Sequence, residues 1–461
     1  KPLLRGVLCY LVIRTGLSVE IAAQLPLANG DQPSSCSYLD VEHGIVVINF
    51  AVVSNEASEP LAGSIEARHQ LRVHLPAELG QKLRERLVLL SEAKHLRCLF
   101  PHEPVPQHDS EIFLSTGGFK CTWSRLRRTL GLCLRYHGYN KLLAGLLSGD
   151  FGINPRSKLH YAAVTASELH QMEQQLHLRL GLGETVPLQE DEPGIGCAVV
   201  PAKDHVRLHD VLLVLHVEHK HPGKSGSLAS LRSFHNAYTR LVGWRLSVLL
   251  ALRESASIEV DAGINIEHDT WVPLHDKGTR MDRGFQPVPL CDYVLMQMRL
   301  YREHCRAMAP RLLQLSGENT EFSLWCASVG RGQKVRLLSL VDDDNKIRGL
   351  PSRYFTSRAE LQKAGVHTDQ MHYDLAPDVG RKVMENQLRS SGARSSDIDA
   401  FLRHFTLGQE PASAFDPAVL SSSIQRISAH QQKVAISLLG PTAVGLSKGS
   451  VRRRALEVTH R

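Results

Sequence analysis

The amino-acid sequence predicts an α+β protein that consists of two similar units in tandem. The chain has 461 residues, which is too long for one compact core and suits two or three domains of ordinary size. Its content of 43% hydrophobic and 22% charged residues is that of soluble globular proteins. A helix-like stretch followed by two strand-like segments occurs twice in the same order. We therefore expect a first unit at 1–183, a linker at 184–205 and a second unit at 206–461.

Each unit contains a helix-like stretch that precedes its strands. Residues 10–25 of the first unit can be laid over residues 239–252 of the second, which places Ser18 opposite Arg245. An arginine within an apolar helix is unusual, because a charged group is costly to bury without a partner. Arg245 is therefore a candidate functional residue, and packing in the core or at the surface is the alternative.

Two short segments rich in β-branched or alternating residues follow each helix. They lie at 45–53 and 70–75 in the first unit and at 270–274 and 286–290 in the second. This pattern is typical of antiparallel hairpins. The turn of the second hairpin contains Asp-Lys-Gly, which favours a tight turn and places Lys277 at an exposed tip. A lysine in such a turn is a candidate for contact with a ligand or simply a solvated side chain.

The two units agree most closely in their later parts. Spacings of 23 and then 11 residues separate three positions in each unit, namely Arg127, Asp150 and Tyr161 in the first and Arg381, His404 and Phe415 in the second. Matched offsets in the same order predict a true repeat.

The segment at 184–205 lacks helical periodicity and contains Glu-Asp-Glu-Pro-Gly, which predicts a linker. The second unit also carries an insertion near 317–349 that the first unit does not match. Its alternating residues and its Asp-Asp-Asp-Asn turn indicate a further hairpin.

Positive charge is concentrated in a few segments. The chain has 54 Lys plus Arg against 47 Asp plus Glu, a modest formal net charge of +7. The clusters are phosphate-binding candidates or solvated helix faces. They comprise Arg125, Arg127, Arg128 and Arg135; Arg156 and Lys158; and a basic C-terminal tail with Arg452, Arg453 and Arg454.

Cysteine usage and hydropathy exclude several classes of protein. The nine cysteines include no Cys-x-x-Cys pair, which is unlike a disulfide framework or a zinc ribbon and favours a reducing cytoplasm. We expect no metal and no cofactor. No uninterrupted apolar run of about 18 residues occurs, so we expect no membrane-spanning helix.

Several segments of the second unit resemble the tyrosine recombinase (phage integrase) family. Residues 243–253 are similar to the first arginine box, and residues 276–278 followed by 288–290 are similar to the lysine hairpin and the strand after it. Arg381 together with residues 398–404 is similar to the second arginine and the later histidine box. The first unit resembles the same catalytic domain in a weaker form.

This resemblance implies a mainly helical domain with a small antiparallel sheet, which acts on double-stranded DNA without metal through a 3′-phosphotyrosine. It also implies partners on DNA, either further copies of the chain or a related recombinase, and a cytoplasmic location, on the nucleoid if the source is bacterial. Arg245 and Arg381 would stabilise the charge that develops on the phosphate. Lys277 would protonate the leaving oxygen, and His404 would hydrogen-bond the phosphate or assist proton transfer.

The chain departs from the family at the positions that matter most for chemistry. Asp378 replaces the histidine that normally precedes the second arginine, and Phe415, at the nucleophile position, has no hydroxyl. The first unit has Tyr161 at that position, but Ser18, Ser124 and Asp150 replace its other site residues.

Three hypotheses follow from these departures. The chain is a recombinase-like protein that binds DNA without cutting it; or Tyr161 of the first unit is donated into the pocket of the second; or the fold serves as a non-catalytic architectural or interaction module.

Overall fold

The computed structural model describes most of the chain. The described residues are 2–28, 37–49, 67–68, 70–90, 111–114, 119–136, 141–148, 162–188, 194–197, 200–223, 226–252, 258, 260–274, 286–371, 375–376, 378–402 and 417–446. The chain divides into two compact units, one formed by residues 1–60 and 65–198 and the other by residues 61–64 and 199–461. The protein is mainly helical, with 58% helix and 12% strand, and has small antiparallel sheets, which confirms the predicted α+β class.

The helices of the first unit, within the described residues, are α1 (Pro2–Thr15), α2 (Val19–Ala23), α3 (Ala77–Leu90), α4 (Trp123–Tyr136), α5 (Lys141–Ser148) and α6 (Ala166–Leu180). Its strands are β1 (Tyr38–Asp40), β2 (Ile45–Asn49), β3 (Ala67–Arg68), β4 (Gln70–His74), β5 (Glu111–Leu114), β6 (Phe119–Thr122), β7 (Ala163–Val164) and β8 (Gly194–Gly196). One hydrophobic core joins α1, α4 and α5 to the sheet β1-β2-β4.

The predicted hairpin of the first unit is present. Strand β2 pairs with β4 in antiparallel register, from Ile45 opposite His74 to Asn49 opposite Gln70. The run of β-branched residues in β2 and the alternation of polar and apolar residues in β4 are local patterns, so they identify these strands without knowledge of the rest of the fold.

The helix expected at 10–25 is broken, because α1 ends at Thr15 and Gly16 adopts a left-handed φ of 61°. Ser18 then caps α2, where its hydroxyl accepts a hydrogen bond from the amide of Ile21. The matching helix of the second unit runs unbroken through Gly243, where a Cβ would overlap the side chain of Leu350. The two glycines therefore have different roles: Gly16 ends a helix, and Gly243 allows close packing.

The described part of the expected linker belongs to both units. Strand β8 lies between β3 and β7 in the first unit, and the backbone of Thr185 bridges to Pro76. The first helix of the second unit begins at Lys203, and the boundary between the units follows Ala198.

The helices of the second unit, within the described residues, are α7 (Lys203–His219), α8 (Leu228–Leu249), α9 (Asp292–Ser316), α10 (Glu321–Gly330), α11 (Arg353–Thr356), α12 (Arg358–Lys363), α13 (Val379–Ser390), α14 (Ser395–Phe401) and α15 (Pro417–Leu438). Its strands are β9 (Trp271–Leu274), β10 (Gln286–Pro289), β11 (Leu340–Val341) and β12 (Ile347–Arg348). Helix α8 lies at the centre of the core and is buried on almost all sides.

Both hairpins expected in the second unit are present. Strands β9 and β10 pair from Trp271 opposite Pro289 to Leu274 opposite Gln286. Strands β11 and β12 form the hairpin of the insertion, which begins with helix α10 rather than with a strand. None of the helices in the described part of the chain has the length and apolarity that crossing a bilayer requires.

Candidate phosphate-binding site

The two arginines predicted for the second unit lie on helices that pack against each other. Arg245 belongs to α8 and Arg381 to α13. The helices meet at Gly380, where a Cβ would overlap the carbonyl oxygen of Ser247. Only glycine permits this approach without a shift of one helix. The fold therefore brings the two arginine segments together.

Arg245 is completely buried and is held by protein groups on every side. Its Nε and Nη2 donate to the two carboxylate oxygens of Asp210, both at 2.8 Å. Its Nη1 donates to Oε1 of Gln297 at 3.2 Å and to the carbonyl oxygen of Pro441 at 2.8 Å. A bidentate pair with two further acceptors is the arrangement that a buried guanidinium requires.

The charge on this guanidinium is maintained within the core. Burial works against the charged form, but Tyr293 and Asp210 outweigh it, so the pKa of Arg245 lies above its ordinary value. Arg245 has 0% relative exposure, and its donors point to Asp210, Gln297 and the backbone. In this arrangement it is part of the core and offers no donor to a phosphate at the surface.

The chain after α15 passes through the same polar core as a segment that we call the C-terminal strap, residues 439–446. Gly440 donates its amide to Asp210 at 3.0 Å, and its carbonyl accepts from the hydroxyl of Tyr293 at 2.7 Å. Ala443 exchanges two hydrogen bonds with the side-chain amide of Gln297, at 2.9 and 3.0 Å. The strap and the Arg245 pair are therefore parts of one hydrogen-bonded network.

Arg381 is also fully buried, and its Nη2 donates to the carbonyl oxygen of Leu402. Leu402 follows α14 and precedes His404 by two residues. Asp378, at the position of the family's histidine, forms an ion pair with Lys382 at 2.8 Å, one turn along α13. The acidic group is therefore neutralised by its own helix.

Several predicted site residues lie outside the described residues. They are Lys277, His404, Phe415, Tyr161, Arg156 and Lys158.

An ionic contact joins α14 and α15, the helices before and after the segment of the sequence that carries His404 and Phe415. Arg426 of α15 donates to both carboxylate oxygens of Asp397 on α14, at 2.8 and 2.9 Å, and Ser423 adds a hydrogen bond at 2.6 Å. Partial burial works against the charge on Asp397, but these hydrogen bonds lower its pKa below the ordinary value. The contact fixes α14 against α15.

In the first unit, helix α4 presents arginines to solvent. Arg125, Arg127 and Arg128 are exposed, whereas Leu126 and Leu130 on the other side of the helix are buried. None of the three arginines forms an ion pair within the part of the chain that the structure describes. Arg127 therefore differs from Arg381, its counterpart by spacing, which is buried.

The structure also contains a buried polar cluster that the sequence analysis missed. Nitrogen or oxygen atoms of His74, His170 and Glu173 lie within 4.8 Å of one another, and these residue types bind zinc in other proteins. Both carboxylate oxygens of Glu173 are already occupied, one by Arg14 at 2.6 Å and the other by His74 at 2.8 Å. We therefore interpret the cluster as a hydrogen-bonded ionic core. The spacing of His170 and Glu173 on one helical face was the sequence pattern that could have indicated it.

Comparisons of the chain with families of known proteins, with curated proteins and with solved structures gave no match. The relationship to tyrosine recombinases therefore depends on the sequence motifs and is a proposal.

Proposed function

We propose that the protein binds double-stranded DNA through a recombinase-like fold and does not cut it. The observation that carries the absence of cutting is the state of Arg245, which is buried against Asp210 and cannot reach a phosphate at the surface. The nucleophile position of the same unit holds Phe415, which has no hydroxyl. A phosphotyrosine mechanism needs both a charge-stabilising arginine and a nucleophile, and this unit offers neither in the form that the mechanism requires.

The order of elements supports a pair of related units. In the first unit, α1 is followed by the β2–β4 pair and α3, and later by α4 and α5. In the second, α8 is followed by the β9–β10 pair and α9, and later by α13 and α14. The segments that resemble the recombinase family lie in or beside α8, the β9–β10 pair, α13 and α14.

Exposed positive charge supports DNA as the ligand. The three exposed arginines of α4 have no carboxylate partner among the described residues, so nothing in that part of the chain competes with a phosphate for them. The basic C-terminal tail follows the strap directly in sequence, and the strap is hydrogen-bonded to the core of the second unit. Unpaired arginines of this kind are the electrostatic signature of proteins that contact a DNA backbone.

A salt titration with a short fluorescent duplex tests the proposal. The logarithm of the binding constant should fall linearly with the logarithm of the salt concentration, with a slope of about −0.9 for each phosphate contacted. Replacing Arg125, Arg127 and Arg128 with glutamine should make this negative slope less steep by up to ~3. The control removes three exposed lysines on separate parts of the second unit, Lys346, Lys363 and Lys433, and so changes the net charge equally.

Two results would contradict the proposal. Absence of duplex binding by the wild-type protein at low salt would exclude a DNA-binding role. A covalent adduct on a nicked suicide substrate would show that the protein cuts DNA, and loss of that adduct on Tyr161→Phe would establish the donated-nucleophile hypothesis instead.

A second candidate function is an interaction module, and exposed apolar residues favour it. Val211 and Leu215 lie one turn apart on α7 and are 49% and 54% exposed, and Ile436 of α15 is 71% exposed. Arg207 of α7 donates to the carbonyl of Ser437, so the two helices are neighbours. A protein partner on this surface would bind with little dependence on salt, which separates the two functions.

A further inference from the structure

Six cationic side chains share one surface of the second unit, largely outside the segments that resemble the recombinase family. We call this surface the insertion face. It is made by helix α9 and by the loop that follows α10 within the insertion, and its members are Arg299, Arg302, Arg306, Arg331, Lys334 and Arg336.

The loop is held tightly against α9 by its glycines. A Cβ at Gly330 would lie 2.9 Å from the Cα of Arg306, and Nη2 of Arg306 donates to the carbonyl oxygen of Gly330 at 2.8 Å. A Cβ at Gly332 would lie 3.5 Å from Cζ of Arg302. The loop backbone therefore contacts Arg302 and Arg306 of α9. The cations of the loop itself extend from this backbone, next to the arginines of α9.

A second loop, which contains Ala262 and Ile264, lies against Arg302. The guanidinium of Arg302 donates to the carbonyl oxygens of Ala262 and Ile264. The amide of Ala262 in turn donates to the carbonyl of Val335 at 2.8 Å. Three segments of the chain are thus fixed to one another, which sets the backbone positions from which these cations extend.

Among the described residues, the cations on this surface outnumber the acidic groups that contact them. Glu303 pairs with Arg306, and Asp261 uses one carboxylate oxygen to accept from the amide of Gly263 at 2.7 Å. Burial, followed by the positive charge of Arg306, lowers the pKa of Arg302. Like charges therefore already work against one another here, which is a cost to the folded protein.

Four of the six cations are exposed and form no ion pair among the residues that the structure describes. They are Arg299, Arg331, Lys334 and Arg336. Unpaired cations that extend from a fixed backbone match a ligand that presents regularly spaced negative charges, as the DNA backbone does.

We infer that the insertion face is an additional contact for the phosphate backbone of duplex DNA, independent of base sequence. This inference rests on the proposed DNA-binding function and assigns part of that binding to the insertion. It predicts that the surface contributes equally to the affinity for unrelated duplexes, because phosphate contacts carry no sequence information.

The test replaces Arg331, Lys334 and Arg336 with glutamine in the full chain and repeats the salt titration on two duplexes of unrelated sequence. These side chains are exposed, so their removal should leave the fold intact, which a thermal melt checks. The negative salt slope should become less steep by up to ~3 on both duplexes. A control variant with glutamine at Lys203, Lys363 and Lys433, which are exposed and lie outside α9 and the insertion, loses the same charge elsewhere and should make the slope less steep by less than about 1.

A slope that equals that of the lysine control would overturn the inference while leaving the proposed function intact. A loss confined to one duplex would also overturn it, since that would indicate recognition of bases. Wild-type protein that does not bind duplex DNA at all would overturn both. If the triple replacement weakens binding to single-stranded RNA but not to duplex DNA, the surface binds a different ligand and the inference is contradicted.

Discussion

Replacing Asp210 with asparagine tests whether Arg245 is a core residue or a phosphate-binding residue. The carboxylate of Asp210 accepts two hydrogen bonds from Arg245 at 2.8 Å and one from the amide of Gly440 at 3.0 Å. The side chains are 0% and 1% exposed, so Asp210→Asn would leave a buried positive charge without its counter-charge. Removing one partner of such a pair costs about 3–5 kcal/mol, a large part of the stability of an ordinary domain.

Urea denaturation followed by tryptophan fluorescence measures this cost, because three of the four tryptophans, including the buried Trp244, belong to the second unit. The double variant Asp210→Asn with Arg245→Met should lose less stability than the sum of the single variants, since no uncompensated charge is left. Glu360→Gln, which breaks a pair between Glu360 and the exposed Lys363, serves as a control and should cost less than about 1 kcal/mol.

The opposite outcome has a clear meaning. If Asp210→Asn costs no more than the control and increases the affinity for DNA, then Arg245 is released to bind a phosphate. The interpretation of Arg245 as a core residue would then be refuted, together with the observation on which the proposed function depends.

Three further predictions concern packing, chemistry and pH. Gly380→Ala should lower the unfolding free energy by about 1–3 kcal/mol in the same urea assay, because its Cβ would overlap the carbonyl of Ser247, whereas Gly6→Ala meets nothing within 4 Å and should be neutral or stabilising. Phe415→Tyr should restore a hydroxyl without producing a covalent adduct on a nicked substrate, and an adduct would show that the pocket is intact. Burial lowers the pKa of His235 to about 4, although the hydrogen bond of its ring to the carbonyl of Ser339 works in the other direction, so the unfolded chain takes up its proton first as the pH falls below 6.5. The stability that this residue contributes, ~3 kcal/mol, should therefore be lost between pH 6.5 and pH 4 and level off below that, and a urea midpoint that does not change across this range would contradict the assignment.

The elements that could be predicted from the sequence are those with a local cause. The segments at 45–53 and 270–274 are short and rich in β-branched or aromatic residues, and the structure has β2 and β9 within them. The break in the first helix does not follow from the alignment, because the alignment matches residues 10–25 to a helix that is unbroken. A glycine that adopts a left-handed φ and one that permits close packing look the same in a sequence.

The site was predictable only in part, for a different physical reason. An arginine among apolar residues marked Arg245 as unusual, but its partner Asp210 lies 35 residues earlier on another helix. That partnership decides whether the guanidinium faces a phosphate or the core, and it depends on the packing of α7 against α8. Spacing likewise matched Arg127 to Arg381, but it carries no information on burial, in which the two residues differ.

A buried arginine paired with a carboxylate occurs in both units, although the sequence alignment does not match the two arginines. The alignment places Ser18 opposite Arg245, but Arg14, one helical turn before Ser18, is the buried arginine of the first unit and pairs with Glu173 at 2.6 Å. The carboxylate comes from a later helix in the first unit and from an earlier one, through Asp210, in the second. Since the partners come from different parts of the two units, the pairs do not follow from the repeat alone. Each is explained by the same requirement, that a charged group within the core must have a buried counter-charge.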